Sequence, residues 1–164
     1  MIWSIIYLSA VLVANYTAIW FIPFPVFGMV SVGTLIFGAT FTARDYVHKS
    51  GRKKVYAMIG LAIIASASLS IFGNVQWRVI LASTVAVALS ETVDTEVYQK
   101  LLEKPWLVRV SGSNAISIPS DSLLFNLIAF AGIFSPIMIT SIVFGEIVTK
   151  YIVGSVVALW RYLR

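Results

Sequence analysis

The chain has no cysteine, only one histidine, and few charged side chains for its 164 residues. Without cysteine there is no disulfide, no thiol nucleophile and no cysteine-ligated metal, and His48 alone cannot build a metal-ligand cluster. Charged residues make up 12% of the chain and hydrophobic residues 59%. Such a chain is too apolar to cover the surface of a soluble domain of this size. The composition predicts an integral membrane protein with a single transmembrane domain over residues 1–164.

The common motifs of enzymes are also missing. The sequence has no glycine-rich phosphate loop, no HExxH and no nucleophile elbow, so we predict no enzyme, no cofactor and no metal. An intramembrane aspartyl hydrolase built on Asp94 and Asp121 is the enzymatic alternative, and it requires the two carboxylates within a few ångströms of each other. A net charge of +5 is compatible with a nucleic-acid partner, but most basic residues flank hydrophobic stretches, where membrane topology explains them. We therefore predict no nucleic-acid partner.

Six hydrophobic stretches approach the roughly 20 residues that a helix needs to cross a bilayer core of about 30 Å. They are Ile2 to Phe21, Val26 to Ala43, Val55 to Phe72, Trp77 to Tyr98, Ser111 to Phe134 and Ile137 to Leu159. Breaks follow the first, third and fifth stretches, at Pro23 and Pro25, Gly73-Asn74 and Ser135-Pro136. The prediction is therefore an all-α fold, an integral membrane bundle of six transmembrane helices.

Lysine and arginine fall mainly on one side of the predicted bundle. Ten lie after the even-numbered stretches, whereas the alternate loops hold only Arg78. The positive-inside rule then places both termini in the cytoplasm, in a multi-pass protein of the cell (inner or plasma) membrane. Three spans followed by three also suit a 3+3 inverted repeat, and the sequence leaves a homo-oligomer open. The ten basic residues are Arg44, Lys49, Arg52, Lys53, Lys54, Lys100, Lys104, Arg109, Arg161 and Arg164.

The fourth stretch carries acidic residues on one face. Glu91, Asp94 and Tyr98 fall at i, i+3 and i+7, so a helix places them on one stripe. A carboxylate inside a membrane helix costs roughly 2.5 to 3.5 kcal/mol on insertion scales and usually marks function. We favour a ligand-binding role, and the alternative is that these acids are interfacial or pair with a basic loop.

The fifth stretch repeats this pattern. Asn114, Ser117, Asp121 and Phe125 fall at i, i+3, i+7 and i+11, again on one helical face. Pro119 removes one backbone hydrogen bond, so we expect a kink or break that offers backbone groups to a ligand. The serines are at least as well explained as packing contacts between helices.

Three further positions complete the candidate set. Glu146 and Lys150 form an i, i+4 pair in the sixth stretch, either as a structural ion pair or with Lys150 neutralising a carboxylate on a neighbouring helix. Arg44 and Asp45 are expected to cap or gate the cytoplasmic mouth, and Asn15 is a packing residue or a ligand donor. We expect the polar faces of the fourth to sixth helices to meet at one water-accessible pocket.

Several ordered motifs resemble the VUT family, the queuosine precursor transporters. They are ANY at Ala14 to Tyr16, FTARDYVHKSG at Phe41 to Gly51, SETVDTEVY at Ser90 to Tyr98, RVSGSNAISIPSDSLLFNLIAF at Arg109 to Phe130 and GEIVTK at Gly145 to Lys150. The resemblance implies a six-helix membrane protein that takes up 7-cyano-7-deazaguanine or 7-aminomethyl-7-deazaguanine for tRNA modification. Matching polar positions are Asn15, Arg44, Glu91, Asp94, Asn114, Asp121, Glu146 and Lys150. One departure is Thr40, where the family often has an acid.

The candidate residues suit such a substrate. A guanine-like edge presents two adjacent N–H donors, which one carboxylate accepts side by side, and Asp121, Asp94 or Glu91 is a candidate acceptor. Asn114 is a candidate to read the carbonyl, and Phe125, Tyr98 or Trp20 to stack on the ring. Two mechanisms stay open: a self-sufficient secondary transporter, or a substrate-binding membrane subunit of an ATPase-driven vitamin-type importer. A purely structural membrane protein would leave the buried acids without a purpose.

Overall fold

The computed structural model describes residues 2–24, 28–73 and 75–162, without the side chains of residues 39, 42, 161 and 162. Six helices and one hairpin make up the described part. The order along the chain is α1 (Ile2–Tyr16), β1 (Phe21–Phe24), β2 (Gly28–Ser31), α2 (Val32–His48), α3 (Arg52–Phe72), α4 (Trp77–Lys100), α5 (Trp106–Phe130) and α6 (Pro136–Tyr162). The predicted features at Pro25, Val26, Asn74 and Arg164 lie outside the described residues.

All six predicted hydrophobic stretches contain a helix, so the mainly helical fold is confirmed. By length and composition, two of the described helices are suited to cross a membrane, α3 and residues Pro136–Trp160 of α6. Helix α1 is apolar and has 15 residues, which is about 22 Å at the usual helical rise. Helix α5 starts at Trp106, directly after Pro105, and ends at Phe130 rather than Phe134, two residues before Gly132 with its φ of 79°.

The predicted break in the fifth helix is absent. Helix α5 is continuous from Trp106 to Phe130 with Pro119 inside it. Proline removes one backbone hydrogen bond, and the bonds on either side are enough to keep a packed membrane helix in register. In the same turn, Ser120 Oγ donates to the Ile116 carbonyl at 2.8 Å.

A two-stranded hairpin between α1 and α2 was not predicted. β1 and β2 pair antiparallel, with Phe21 opposite Ser31 and Phe24 opposite Gly28. Pro23 disfavours the helix that the hydrophobic pattern predicts through Phe21, and aromatic and β-branched residues favour strands. Gly28 has a φ of 78°, and a β-carbon there would collide with the Ser141 hydroxyl. The hairpin is therefore packed tightly against the first half of α6.

Small residues bring α2 close to both of its main neighbours. A β-carbon at Gly33 would collide with the Ala14 carbonyl of α1. One at Gly38 would lie 2.9 Å from the Val153 Cβ of α6, which is too close for two carbon atoms. Small residues at helix crossings allow such approach in membrane bundles. Helix α2 is thereby fixed between α1 and α6, and α4 packs mainly on α5.

Polarity in this bundle is the reverse of that in a soluble domain. Large apolar side chains lie on the outside, with Phe72 87% and Ile137 84% exposed. Charged groups lie inside, where Arg44, Glu91 and Asp94 are 0% exposed. An apolar exterior around buried charges is the arrangement that lipid favours.

Helix contacts differ between the two halves of the chain. Helix α1 packs extensively on α3, whereas the equivalent pair, α4 and α6, has no comparable contact among the described residues. The inverted repeat thus receives no support from the packing and stays a prediction.

Candidate functional site

A buried lysine with two carboxylates lies at the centre of the bundle. Lys150 on α6 is 3% exposed, and its Nζ donates to Asp121 Oδ2 at 2.8 Å and to Glu146 Oε2 at 3.4 Å. Its third hydrogen bond goes to Ser122 Oγ at 2.7 Å. Both alternatives for Lys150 hold, because it pairs with Glu146 on its own helix and with Asp121 on the neighbouring one. We call Lys150, Asp121 and Glu146 the lysine cluster.

Neutral donors hold the two carboxylates of the lysine cluster. Ser90 Oγ of α4 donates to Asp121 Oδ1 at 3.1 Å, and Asn126 Nδ2 of α5 donates to Glu146 Oε2 at 3.0 Å. Sequence reasoning did not assign roles to Ser90 and Asn126. The available signal was that Asn126 lies one helical turn after Ser122 on the same face of α5. Counted formally, one cation faces two carboxylates, so the cluster carries a charge of −1.

A cavity opens beside the lysine cluster, between all helices except α3. The cavity and its open mouth together have a volume of about 380 Å³. The part of this space that a water molecule can enter is about 40 Å³. One water needs roughly 10 to 15 Å³ by that measure, so the interior has room for a few waters. The side chains that line the cavity and bear on its chemistry are Asn15, Phe37, Ser83, Asp121, Phe125, Glu146 and Lys150.

Asn15 and Phe37 shape the wall of the cavity opposite α5. The Asn15 amide donates to the Ser66 hydroxyl and accepts from Ser83 Oγ, so it ties α1 to α3 and α4. Phe37 lies with its ring centroid 5.7 Å from Lys150 Nζ, a distance at which a ring face attracts a cation. The sequence did not single out Phe37, because a phenylalanine in an apolar helix is indistinguishable from an ordinary core residue.

A second charged cluster surrounds Arg44 on α2. Its Nη2 donates to Asp45 Oδ1 at 2.8 Å and its Nη1 to Glu91 Oε2 at 3.1 Å, and the guanidinium also pairs with Asp94. Ser117 Oγ of α5 donates to Asp94 Oδ1 at 2.7 Å. Glu91 and Asp94 are therefore buried in the bundle and paired with a cation of α2. They form an arginine cluster, defined as Arg44, Asp45, Glu91 and Asp94, which does not line the cavity.

Three further residues predicted to contact the ligand lie away from the cavity. The Tyr98 ring lies 4.7 Å from the His48 ring and 5.4 Å from the Arg109 guanidinium. Trp20 is 52% exposed between α1 and β1, and Asn114 borders a different cavity between α5 and α6. The single shared pocket expected from the three polar faces is therefore wrong. Among the described residues, these faces contribute to two ionic clusters and border two cavities.

The arrangement does not resemble the carboxylate pair of an aspartyl hydrolase. Such a pair shares one proton between two adjacent acids. Here Asp94 pairs with Arg44 and Asp121 pairs with Lys150. Asp94 and Asp121 thus pair with different cations and do not form a carboxylate pair with each other.

Comparison with known families agrees with this geometry. Residues 55–163, from the start of α3 to the end of α6, match the family model described as "Putative vitamin uptake transporter". The chain belongs to this family. A vitamin-uptake-type transporter is a membrane protein that moves a small molecule, which favours transport over catalysis. The matched segment includes the whole lysine cluster and the two α4 acids of the arginine cluster. No curated protein and no solved structure matches the chain significantly.

Proposed function

We propose that this transporter takes up a queuosine precursor, 7-cyano-7-deazaguanine or 7-aminomethyl-7-deazaguanine, as a secondary transporter. The lysine cluster and its cavity would be the binding site. The observation that carries the proposal is a lysine buried among two carboxylates and a hydroxyl at the wall of a central cavity. Buried ionisable groups in a membrane bundle usually belong to a substrate or ion pathway.

We also propose that all six helices cross the membrane, with both termini in the cytoplasm. Helices α2, α4 and α5 contain charges that lower their hydropathy. Arg44, Glu91, Asp94 and Asp121 are at most 5% exposed, so these charges would not face lipid. The surplus of basic residues in the loops that follow α2 and α4 supports the orientation.

The proposed recognition is an exchange of hydrogen bonds at Asp121. A guanine-like edge offers two parallel N–H donors, and the Asp121 carboxylate has two oxygens to accept them. In the ligand-free arrangement these oxygens accept from Lys150 and Ser90. A base without these two donors would not replace the hydrogen bonds that Asp121 loses, so the site would bind it weakly. The cavity aromatics Phe37 and Phe125 would contact the flat face of the heterocycle.

The charge of the cluster suggests how uptake is driven. A formal charge of −1 at a buried site is costly unless a further positive charge reaches it. A proton would supply that charge, and so would the ammonium group of an aminomethyl substrate. The cavity interior must also widen to admit a bicyclic ligand, so binding would be coupled to a conformational change.

Binding of the purified protein to a panel of purines and deazaguanines tests the proposal. We expect binding of compounds with a 2-amino-purine-like edge and weak binding of adenine. Asp121→Asn should lose this binding, whereas Glu103→Gln, an exposed acid in the α4–α5 loop, should retain it. Equal binding of adenine would refute the proposed recognition.

Uptake into proteoliposomes separates the two mechanisms. A secondary transporter should accumulate ligand with this chain alone and respond to an imposed pH gradient. Binding without uptake under any gradient would instead identify the chain as the substrate-binding subunit of an ATPase-driven importer.

A further inference from the structure

Helices α4 and α5 form one unit within the bundle. A short loop joins them, and they pack on each other more extensively than any other two helices of the described part. Two hydroxyls also connect them, because Ser90 of α4 donates to Asp121 at 3.1 Å and Ser117 of α5 donates to Asp94 at 2.7 Å. We call α4 and α5 the helix pair, and the other four helices with the hairpin the frame. Helix α3 belongs to the frame because its buried apolar side chains join those of α1 and α2 in one core.

Ion pairs connect the helix pair to the frame. Among the described residues, the helix pair supplies only acids to these ion pairs, and the frame supplies every cation. The acids are Glu91, Asp94, Glu96 and Asp121, and the cations are Arg44, Arg52 and Lys150. Ionic contacts can be exchanged for other polar partners, so this interface is suited to open and close.

Both buried cations have a carboxylate on their own helix as well. Arg44 pairs with Asp45 of α2 at 2.8 Å, and Lys150 pairs with Glu146 of α6 at 3.4 Å. A buried cation that loses its only counter-charge is strongly destabilised. Because Asp45 and Glu146 belong to the frame, each cation keeps a counter-charge when the helix pair is displaced.

The aspartates of the helix pair are supported in the same way. Asp121 keeps its donor Ser90 and Asp94 keeps its donor Ser117 when the frame is displaced, because all four residues belong to the pair. Water that enters the opened interface would solvate the other carboxylate oxygens. The ion pairs across the interface can therefore break without leaving a cation or an aspartate without a partner.

The cavity beside the lysine cluster lies between the frame and the helix pair, with Phe37 on one side and Ser83 on the other. Arg44 follows Phe37 on α2 by two helical turns, roughly 10 Å. One turn beyond Arg44, His48 Nε2 and Gln99 Oε1 lie 2.9 Å apart and connect α2 to α4. The basic loops lie at this end of the bundle, so the positive-inside rule makes it cytoplasmic. The arginine cluster therefore lies between the cavity and the cytoplasmic end.

We propose that the helix pair moves as one unit against the frame during transport, and that the arginine cluster, with His48 and Gln99, is the cytoplasmic gate that this movement opens. The inference rests on the proposed function, since only a transporter needs its cavity to face each side of the membrane in turn. The described state has the gate closed, because Arg44, Glu91 and Asp94 are 0% exposed. Displacement of the helix pair breaks the contacts of Arg44 with both acids and connects the cavity to the cytoplasm.

Cross-linking across the gate tests this movement. The chain has no cysteine, so His48→Cys with Gln99→Cys places one thiol on the frame and one on the helix pair, for a short reducible bis-methanethiosulfonate reagent. In proteoliposomes, uptake of 7-cyano-7-deazaguanine should fall in proportion to the cross-linked fraction, measured by mass spectrometry, and should recover on reduction. Binding to the purified cross-linked protein should persist, because Phe37 at the cavity lies about three helical turns from residue 48.

The matched control joins two helices of the frame at the same end of the bundle. Trp3 of α1 and Tyr46 of α2 stack with their ring centroids 3.8 Å apart. Cross-linked Trp3→Cys with Tyr46→Cys should therefore transport as well as its reduced form. If the gate variant does not fold, Arg52→Cys with Glu96→Cys, at the partly exposed ion pair between α3 and α4, should show the same loss of uptake when cross-linked.

The other outcomes distinguish this inference from the proposed function. Full uptake by the cross-linked gate variant would overturn the inference alone, and so would an equal loss of uptake in the cross-linked control. Loss of binding together with uptake would assign the effect to the binding site and overturn the gate. No uptake by the wild-type protein would instead refute the proposed secondary transporter itself.

Discussion

Replacement of Lys150 by methionine is the sharpest test of the central cluster. Methionine keeps much of the length of the side chain and removes its charge and its three hydrogen bonds, to Asp121, Ser122 and Glu146. The formal charge of the cluster changes from −1 to −2. Removing one partner of a buried ion pair costs about 3 to 5 kcal/mol, because the other partner stays buried without compensation.

The expected loss is large enough to measure by thermal unfolding in detergent. One kcal/mol lowers Tm by roughly 2 to 4 °C in a chain of this length, so Lys150→Met should unfold roughly 6 to 20 °C below the wild type. The matched control is Lys54→Met, which removes an exposed lysine at the start of α3 and should leave Tm nearly unchanged.

A second variant shows whether charge is the cause. Lys150→Met combined with Asp121→Asn restores the formal charge to −1 and should recover at least half of the lost Tm, although the proposed ligand contact is gone. Coupled residues deviate from additivity in this way when they interact directly. If Lys150→Met has the same Tm as the wild type, or the double variant has a lower Tm than the single one, the Lys150–Asp121 ion pair does not stabilise the packing of α5 on α6.

Three further variants test other contacts. Arg44→Lys should lower Tm and the yield of folded protein, because a single ammonium cannot reach three carboxylates as the guanidinium does; unchanged stability would contradict this. Gly38→Val should reduce both Tm and uptake, since a β-carbon there lies 2.9 Å from Val153 Cβ, whereas Gly60→Val, with open space around it, should have little effect on either. Phe37→Leu should weaken ligand binding about 2- to 13-fold, as expected for loss of an aromatic contact of about 0.5 to 1.5 kcal/mol, and should lower Tm slightly because Phe37 is also part of the buried core; unchanged affinity would remove Phe37 from the site.

Hydrophobic patterning predicts the helices well because each one is a long apolar run with recognisable ends. The same patterning misses the hairpin, since Phe21 to Phe24 is equally apolar as a strand or as the end of a helix. Pro23 indicates that the helix ends, but it does not predict that the chain turns back and pairs with Gly28–Ser31. That outcome depends on packing against α6, which is a tertiary contact.

The polar faces were also predictable, because a spacing of three or four residues fixes a helical stripe. Their partners were not, since pairing depends on how far each helix is rotated and shifted along its axis. Glu91 and Asp94 pair with Arg44 on α2, whereas Asp121 pairs with Lys150 on α6. The same helical stripes are compatible with other pairings of these charges, and only the packed structure shows which pairs form.

In the proposed recognition, the Asp121 carboxylate contributes both to stability and to ligand binding. Asp121 accepts from Lys150 and Ser90 in the described state, so a ligand must replace existing hydrogen bonds. The affinity is then the difference between two sets of bonds, and only a ligand with two well-placed donors gains from the exchange. In the proposed bound state, Lys150 would keep its present partners Glu146 and Ser122, so its charge would stay compensated. Glu146 would therefore stabilise the ligand-bound state, because without it the release of Asp121 would leave the Lys150 ammonium buried without a counter-charge.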